Sequence, residues 1–240
     1  MNEQGHHILQ CLQDVAAERA RRLADRSLAD RVSAVKHYQH ERFRRTYADL
    51  LGSARYRRAA RFFLEELYGP GDFAQRDDQF ARIVPGLVRL FPHEIIDTVV
   101  SLGDLHALSE KLDTAMSEVL GSGSVDDAGY ARAWREVGQP EARERQIALM
   151  LAVGQALDRY TRNPLLRHSL RLMRAPARAA GVGVLQSFLE SGFDTFREMG
   201  GARDFLETVA TRERALAAQL FAGGTANNLL APGGAADPSA

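Results

Sequence analysis

Cysteine is nearly absent from this sequence of 240 residues, in which Cys11 is the only one. A single thiol excludes an intramolecular disulfide and a thiolate metal cluster built within one chain. The sequence also lacks the stretch of about 20 apolar residues that is needed to span a bilayer, and its first ten residues lack the basic and apolar regions of a signal peptide. These absences predict a protein of the cytoplasm that has no membrane segment.

Lysine is almost as scarce, since Lys36 and Lys111 are the only two and arginine supplies the rest of the positive charge. The 31 basic and 31 acidic side chains cancel, but they are not evenly spread. Residues 1–61 carry a net charge of +6, residues 62–128 carry −9 and residues 129–240 carry +3. Blocks of opposite sign in one chain attract each other, so we expect neutralisation within the fold rather than by an external partner.

Apolar residues recur at steps of three and four along nearly the whole chain, which is the spacing of amphipathic helices. No segment alternates at a period of two, as a half-buried strand would. The sequence therefore predicts an all-α fold, a single bundle of about seven to nine helices. We expect a basic, frayed N-terminal helical segment over residues 1–27, the helical domain over residues 28–222, and a disordered tail over residues 223–240.

Glycine and proline mark the expected helix boundaries. Pro85 and Pro92 each predict an interruption of a helix, because proline lacks the N–H that the helix needs. Asp72 is a candidate cap for the helix that precedes Pro85. Gly138 followed by Pro140 predicts the end of one helix and the start of the next.

The clearest motif is a run of nine residues in the first half of the chain: Phe62, Phe63, Leu64, Glu65, Glu66, Leu67, Tyr68, Gly69 and Pro70. It resembles, residue for residue, the signature of the bacterial FFLEELY-motif proteins, and the resemblance covers about residues 28–221. The resemblance implies a bacterial, soluble, helical protein. That family has no established activity, so the resemblance carries over no catalytic or binding residue.

Packing and capping explain the same motif. Phe63 and Leu67 lie four residues apart and face the core together, while Gly69 and Pro70 end the helix. The paired glutamates take the solvent side and the tyrosine keeps its hydroxyl wet. We therefore interpret six of its residues as structural: Phe62, Phe63, Leu67, Tyr68, Gly69 and Pro70.

His106 is the strongest candidate for a cofactor ligand, although the main expectation is that no cofactor binds. It continues the line of Val99 and Leu102 along an apolar stripe, a placement that suits a haem ligand. The order of a Phe-rich helix, a loop and a long amphipathic helix is similar to the passage of a globin to its proximal histidine, which binds iron. The alternative is a boundary histidine that forms an exposed ion pair with Glu110 one turn on.

The sequence predicts neither a metal site nor a catalytic nucleophile. His37, His40 and Glu41 place two imidazoles and a carboxylate on neighbouring helix positions, but a metal needs a further ligand from elsewhere. His7 belongs to a terminal pair of histidines, and Cys11 is expected to be inert. The sequence also lacks a Gly-x-Ser-x-Gly elbow and a Gly-rich phosphate loop, so it favours a protein without enzymatic activity.

Arginines form the last candidate site. No acidic residue lies between Asp158 and Glu190, and on a continuous helix four arginines in this stretch would share one face. Such a stripe binds phosphate or an acidic partner, and it can equally dock on the acidic middle segment of the same chain. The candidate anion-binding residues are Arg167, Arg171, Arg174 and Arg178.

These patterns favour a non-enzymatic helical interaction or regulatory protein with an unknown protein partner. A globin-like haem or tetrapyrrole-binding protein with His106 as the axial ligand is the alternative. Anion or nucleic-acid binding through the arginine stripe comes third. Nucleic acid is disfavoured because the chain has no excess positive charge, no aromatic stacking platform near the arginines and no known reading motif.

Overall fold

The computed structural model describes residues 2–67 and 73–226, and within these ranges it contains helices and turns but no strand. The all-α prediction is therefore confirmed for the described residues. In chain order the helices are α1 (Glu3–Ala24), α2 (Arg26–Thr46), α3 (Ala48–Gly52), α4 (Arg57–Phe62), a π-helical turn (Phe63–Leu67), α5 (Ala74–Leu90), α6 (His93–Leu120), α7 (Asp127–Val137), α8 (Pro140–Thr161), α9 (Pro164–Leu172), α10 (Arg174–Ala179), α11 (Gly183–Glu198) and α12 (Arg203–Phe221).

The described residues form more helices than the seven to nine expected, because short helices stand where longer ones were predicted. The chain breaks at Tyr47 and again at Ser53, which separates α2, α3 and α4. It breaks once more at Met173, between α9 and α10. The arginine stripe is therefore divided between two helices.

Local sequence explains most of the other boundaries. Side-chain oxygens of four residues accept the free backbone N–H groups at helix starts, as N-caps do. At the start of α8, proline occupies the first helical position, where its missing N–H costs nothing. The four capping residues are Asn2, Asp25, Asp126 and Asn163.

Helix α5 differs from its predicted boundaries. The expected interruption at Pro85 is wrong, because α5 continues through this residue to Leu90. Proline removes one backbone hydrogen bond, and the apolar face of α5, which buries Val84, holds the helix together across that gap. The predicted cap at Asp72 and the predicted helix end at Gly69 and Pro70 lie outside the described residues, as does Tyr68.

Helix α6 is the element around which the others pack. It contacts α1, α2, α7 and α8. Ion pairs on α6 join the basic N-terminal block to the acidic middle block, namely Arg21 with Glu118 and both Arg22 and Lys36 with Glu110. Two more pairs join α1 to α5 and α2 to α7, namely Arg19 with Asp77 and Arg45 with Asp127. The predicted neutralisation within the fold is thus confirmed.

The FFLEELY run supplies a large part of the core. Phe62, Phe63 and the neighbouring Leu64 are buried, and Phe63 meets the ring of Phe205 edge-on at 5.3 Å between centroids. Phe62 stacks on Phe188 at 5.6 Å. Glu65 is exposed, as expected. Phe62 and Phe63 thus pack in the core, and the structural interpretation of the other motif residues stays a prediction.

Gly192 of α11 allows this helix to contact Phe62. A Cβ atom at Gly192 of α11 would lie 3.0 Å from Cζ of Phe62, which is closer than side chains normally pack. The absence of a side chain at this position lets α11 lie against the motif. The contact places Phe188, one turn earlier on α11, beside the ring of Phe62.

The N-terminal helix packs on the rest of the bundle. Helix α1 contacts both α5 and α6 and buries Ile8, Leu12 and Val15. Most of the predicted disordered tail, residues 227–240, lies outside the described residues. No helix in the described ranges has the length and apolar character needed to cross a membrane.

Phe63→Ala tests the role of the motif. We expect it to lower the free energy of unfolding by about 3 to 5 kcal/mol, because it opens a cavity at a position that is 2% exposed. Phe91→Ala is the matched control, since Phe91 is 46% exposed, and we expect a loss below about 1 kcal/mol. Urea denaturation followed by circular dichroism measures both. Equal losses would contradict a core role for Phe63.

Candidate functional site

A cavity of about 220 Å³ lies between the helices and has two different halves. The first half is lined mainly by half-buried apolar side chains of α5, α6 and α11. Arg76 and Asp77 of α5 also line the cavity, and the guanidinium of Arg76 lies 4.4 Å from the centre of the Phe188 ring. The second half is lined by charged and amide side chains of α2, α6, α8 and α12. The main apolar residues are Phe80, Ile83, Leu87, Val99, Leu102 and Phe188, and the main polar residues are Lys36, Gln39, Arg42, Glu110, Asp113 and Arg143.

Helix α6 shows that the two halves are separated in space. Val99, Leu102, His106, Glu110 and Asp113 follow each other at steps of three or four residues and all line the cavity. At 1.5 Å per residue they span roughly 20 Å. The wall therefore changes from apolar to charged along one helix face, with His106 between the two halves.

Glu110 is the central group of the charged half. It is 4% exposed and accepts hydrogen bonds from Arg22 and from Lys36, whose Nζ lies 2.5 Å from Oε1. Burial alone would raise the pKa of Glu110, but Lys36 and Arg22 outweigh it and lower the pKa to about 2. The sequence predicted an exposed ion pair here, which is wrong, because α1 and α2 cover this side of α6.

The remaining charges of this half are also buried. Asp113 accepts a hydrogen bond of 2.9 Å from Gln39, and burial raises the pKa of its carboxyl. Arg42 donates to Glu213 at 2.6 Å. The guanidinium of Arg143 lies 3.9 Å from the centre of the Trp134 ring. It also donates a hydrogen bond of 3.1 Å to Sδ of Met116.

The charged half has as many cations as carboxylates among its lining residues, three of each. Arg22 of α1 does not line the cavity, but its ion pair with Glu110 adds a fourth buried cation beside this half. Trp134 adds a neutral donor, since its buried indole N–H has no acceptor among the described residues. The lining cations are Lys36, Arg42 and Arg143, and the lining carboxylates are Glu110, Asp113 and Glu213.

His106, the predicted haem ligand, is engaged by protein. Its Nε2 atom lies 2.8 Å from Oδ2 of Asp77, and Arg19 donates to the same oxygen at 2.7 Å. Burial opposes ionisation of Asp77, but these two partners prevail and lower its pKa, so the carboxylate accepts and Nε2 carries the proton. Iron ligation through Nε2 requires this hydrogen bond to break.

The predicted cluster of His37, His40 and Glu41 does not gather further ligands. Nδ1 of His40 lies 3.5 Å from Glu41, and Glu41 also binds Arg44. Among the described residues, one different group brings three metal-ligand types together, namely His7, Cys11 and Asp104. No local pattern in the sequence points to this group, because Asp104 is 93 positions from Cys11 and only the packing of α1 on α6 brings them together.

Cys11 behaves as a protonated thiol. Burial, together with the charge of Asp104 and a hydrogen bond to it, raises the pKa of the thiol to about 12. A protonated thiol is a poor nucleophile. This agrees with the expectation that Cys11 is inert in covalent chemistry.

The arginine stripe faces acidic residues of the neighbouring helix α11. Arg167 lies 2.9 Å from Asp194, and Arg174 donates two hydrogen bonds of 2.7 and 2.8 Å to Glu190. The hydrogen bond from Arg174 lowers the pKa of Glu190. Two of the four predicted anion-binding arginines thus have partners within the chain, and these partners lie on α11 rather than in the acidic middle segment.

Apolar side chains beside the stripe are exposed. Leu165 is 73% exposed, Leu172 is 64% exposed and Met173 is 50% exposed. Large apolar side chains grouped at a surface often mark a contact with another molecule. Helix α9 therefore presents an apolar face that the described part of the chain leaves uncovered.

A family model for a domain of unknown function, DUF8198, matches residues 18–227. The chain belongs to the DUF8198 family. The matched range includes every charged residue of the cavity and the whole FFLEELY run. Comparisons with curated proteins and with solved structures gave no match.

Glu110→Gln tests the buried charge network of this DUF8198 protein. We expect a loss of about 3 to 5 kcal/mol in the free energy of unfolding at pH 7, because Arg22 and Lys36 lose their carboxylate. The depressed pKa means that the carboxylate stabilises the fold above about pH 4.5 and that this contribution disappears as the pH falls towards 2. The difference between the two proteins should therefore shrink over that range.

Urea denaturation at several pH values measures this difference. Glu144→Gln, at an exposed carboxylate that pairs with Arg214, is the control and should cost below about 1 kcal/mol. A difference between wild type and Glu110→Gln that stays constant from pH 7 to 2 would contradict the assignment.

Proposed function

We propose that this protein is a non-enzymatic regulatory protein that binds a small amphiphilic acid in its cavity. The supporting observation is the division of the cavity into a mainly apolar half and a charged half, in which burial raises the pKa of the Asp113 carboxyl. An apolar chain would occupy the first half, against Val99, Leu102 and Phe188. An anionic head group would lie in the second, near Arg143 and Trp134.

The size of the cavity limits the ligand. Pockets for drug-sized molecules have volumes of about 300 to 1,000 Å³, whereas this cavity has about 220 Å³. If each non-hydrogen atom occupies roughly 20 to 30 Å³, the cavity accommodates about seven to eleven of them. A medium-chain carboxylic acid has this size, while a haem is much larger.

The charged half favours an anion as the head group. The three lining cations equal the three lining carboxylates in number, Arg22 adds a cation beside Glu110, and burial raises the pKa of Asp113, which favours the neutral form of that carboxyl. An anion placed beside Arg143 gains a charge-assisted hydrogen bond. A cationic head group would be repelled by the same cations.

A ligand-binding role needs no reactive group. The thiol of Cys11 is protonated and His106 is bonded to Asp77, so the described residues favour binding over covalent catalysis. The exposed apolar face of α9 supports the protein partner that a regulatory function requires. A bacterial source and a cytoplasmic location are parts of this proposal.

Calorimetric titration with octanoate tests the proposal. We expect octanoate to bind at least about tenfold more tightly than octanol or octylammonium, because only octanoate is an anion. Arg143→Met should weaken octanoate binding at least about tenfold. Arg214→Met, at an exposed arginine paired with Glu144, is the control and should leave binding unchanged.

A second variant covers the case in which Arg143→Met fails to fold. Val99→Phe fills the apolar half from a half-buried position and should weaken binding of octanoate without touching the charges. Circular dichroism checks the fold of each variant. Equal affinity for the three ligands, or none for any of them, would refute the proposal.

The two alternatives can be tested with the same protein. Haemin that produces a Soret band in the wild type but not in His106→Ala would favour the tetrapyrrole-binding alternative. Salt-sensitive binding of a single-stranded oligonucleotide that is lost when Arg167, Arg171, Arg174 and Arg178 become Gln would favour the arginine stripe. Two arginines of the stripe are already paired with Asp194 and Glu190, so the stripe is a weaker candidate than the cavity.

A further inference from the structure

We propose that His7, Cys11 and Asp104 form a zinc-binding site that joins α1 to α6. This site is separate from the proposed ligand cavity, since none of the three residues lines it. His7 and Cys11 lie four residues apart on one face of α1, and Asp104 faces them from α6. The three side chains offer an imidazole nitrogen, a sulfur and a carboxylate oxygen within 4.8 Å of one another.

The distances between the three ligand atoms fit a tetrahedral zinc ion. Bonds of about 2.3 Å to sulfur and about 2.0 to 2.2 Å to nitrogen or oxygen require separations of roughly 3.6 Å between sulfur and each lighter atom. Sγ of Cys11 lies 3.7 Å from Nε2 of His7 and 3.5 Å from Oδ1 of Asp104. Two of the three separations therefore already have the required values.

The third separation is shorter and has a simple explanation. Nε2 of His7 lies 2.7 Å from Oδ1 of Asp104, which is a hydrogen-bond distance, whereas zinc ligands of this kind lie roughly 3.3 Å apart. Zinc would replace the proton shared by these two atoms. His7 is 48% exposed at its side chain, so it can withdraw by the roughly 0.6 Å that is needed.

The surroundings hold the ligands in place. Arg145 donates to Oδ2 of Asp104 at 3.0 Å, which fixes the carboxylate and leaves Oδ1 to face Cys11 and His7. Asn2 caps the start of α1, and Gln4 donates to Asp97 of α6 at 2.6 Å, so His7 lies on an anchored helix. Three protein ligands leave a fourth position for water.

The two helices approach each other at a glycine. A Cβ atom at Gly103 of α6 would lie 3.4 Å from Cβ and 3.7 Å from Sγ of Cys11. The helices thus meet at the residue next to Asp104. This contact brings the sulfur to the carboxylate on the neighbouring helix.

The ligand types select the metal. A thiolate disfavours magnesium and calcium, which prefer oxygen, whereas sulfur, imidazole and carboxylate together suit zinc. Binding forms a Zn–S bond and releases the thiol proton to solvent, with no change in oxidation state. Nε2 of His7 gives up the proton that it shares with Asp104, and Nδ1 takes up a proton from solvent, so the imidazole remains neutral. Cobalt(II) prefers the same geometry and reports thiolate ligation through its absorption spectrum.

Titration of the untagged, chelator-treated protein with cobalt(II) tests the site. We expect one cobalt per chain, a thiolate-to-cobalt charge-transfer band, and displacement of that band by one equivalent of zinc. Cys11→Ser should abolish the band. Asp104→Asn and His7→Ala should each weaken cobalt binding more than about tenfold, as loss of a ligand does.

His6→Ala is the matched control, because the ring of His6 bonds to the backbone of Asn2 and does not reach the cluster. It should leave the affinity unchanged. No charge-transfer band at one equivalent, or equal weakening by His6→Ala and His7→Ala, would overturn the proposal. If Cys11→Ser fails to fold, the two variants at partly exposed positions, His7→Ala and Asp104→Asn, decide it. The experiment uses no cavity ligand, so failure of the proposed function would leave its result unaffected.

Discussion

Glu110 of α6 is held by Arg22 of α1 and Lys36 of α2, and this buried ion pair sets the packing of the bundle. A carboxylate that is 4% exposed is costly unless its charge is compensated by well-placed donors. Both donors come from the first 36 residues of the chain. Glu110 therefore stays compensated only while α1 and α2 lie against α6, and the N-terminal helix belongs to the same folded unit as the rest.

The cavity follows from the same constraint. Buried ionised groups keep their positions because each needs a particular partner, so the side chains around Glu110 cannot rearrange to fill the space between the helices. Apolar residues close the other half only in part, since Phe188 is held against Phe62 and leaves room beside Val99. The protein thus retains a space with one charged end and one apolar end, an arrangement that costs packing contacts and suits an amphiphilic ligand.

The helices and their caps could largely be predicted from the sequence. Asp126 and Asn163 lie directly before the helices that they cap, and Gly138 and Pro140 mark the predicted boundary between α7 and α8. Phe63, which its spacing predicted to face the core, is buried, as is Phe62. The predicted interruption at Pro85 was wrong, because packing overrides a local preference there. The break at Met173 divides the arginine stripe between two helices.

The sequence by itself determined the fold class, the capping residues, the apolar stripes and the attraction between the basic and acidic blocks, because these depend on neighbours three or four positions away or on total charge. The tertiary structure decided which charges are buried and which side chains meet. Glu110 looked exposed on its own helix and became buried only when α1 and α2 covered it. Asp104 and Cys11 lie 93 positions apart, and a contact at that separation depends on how α1 packs on α6, which no local pattern encodes.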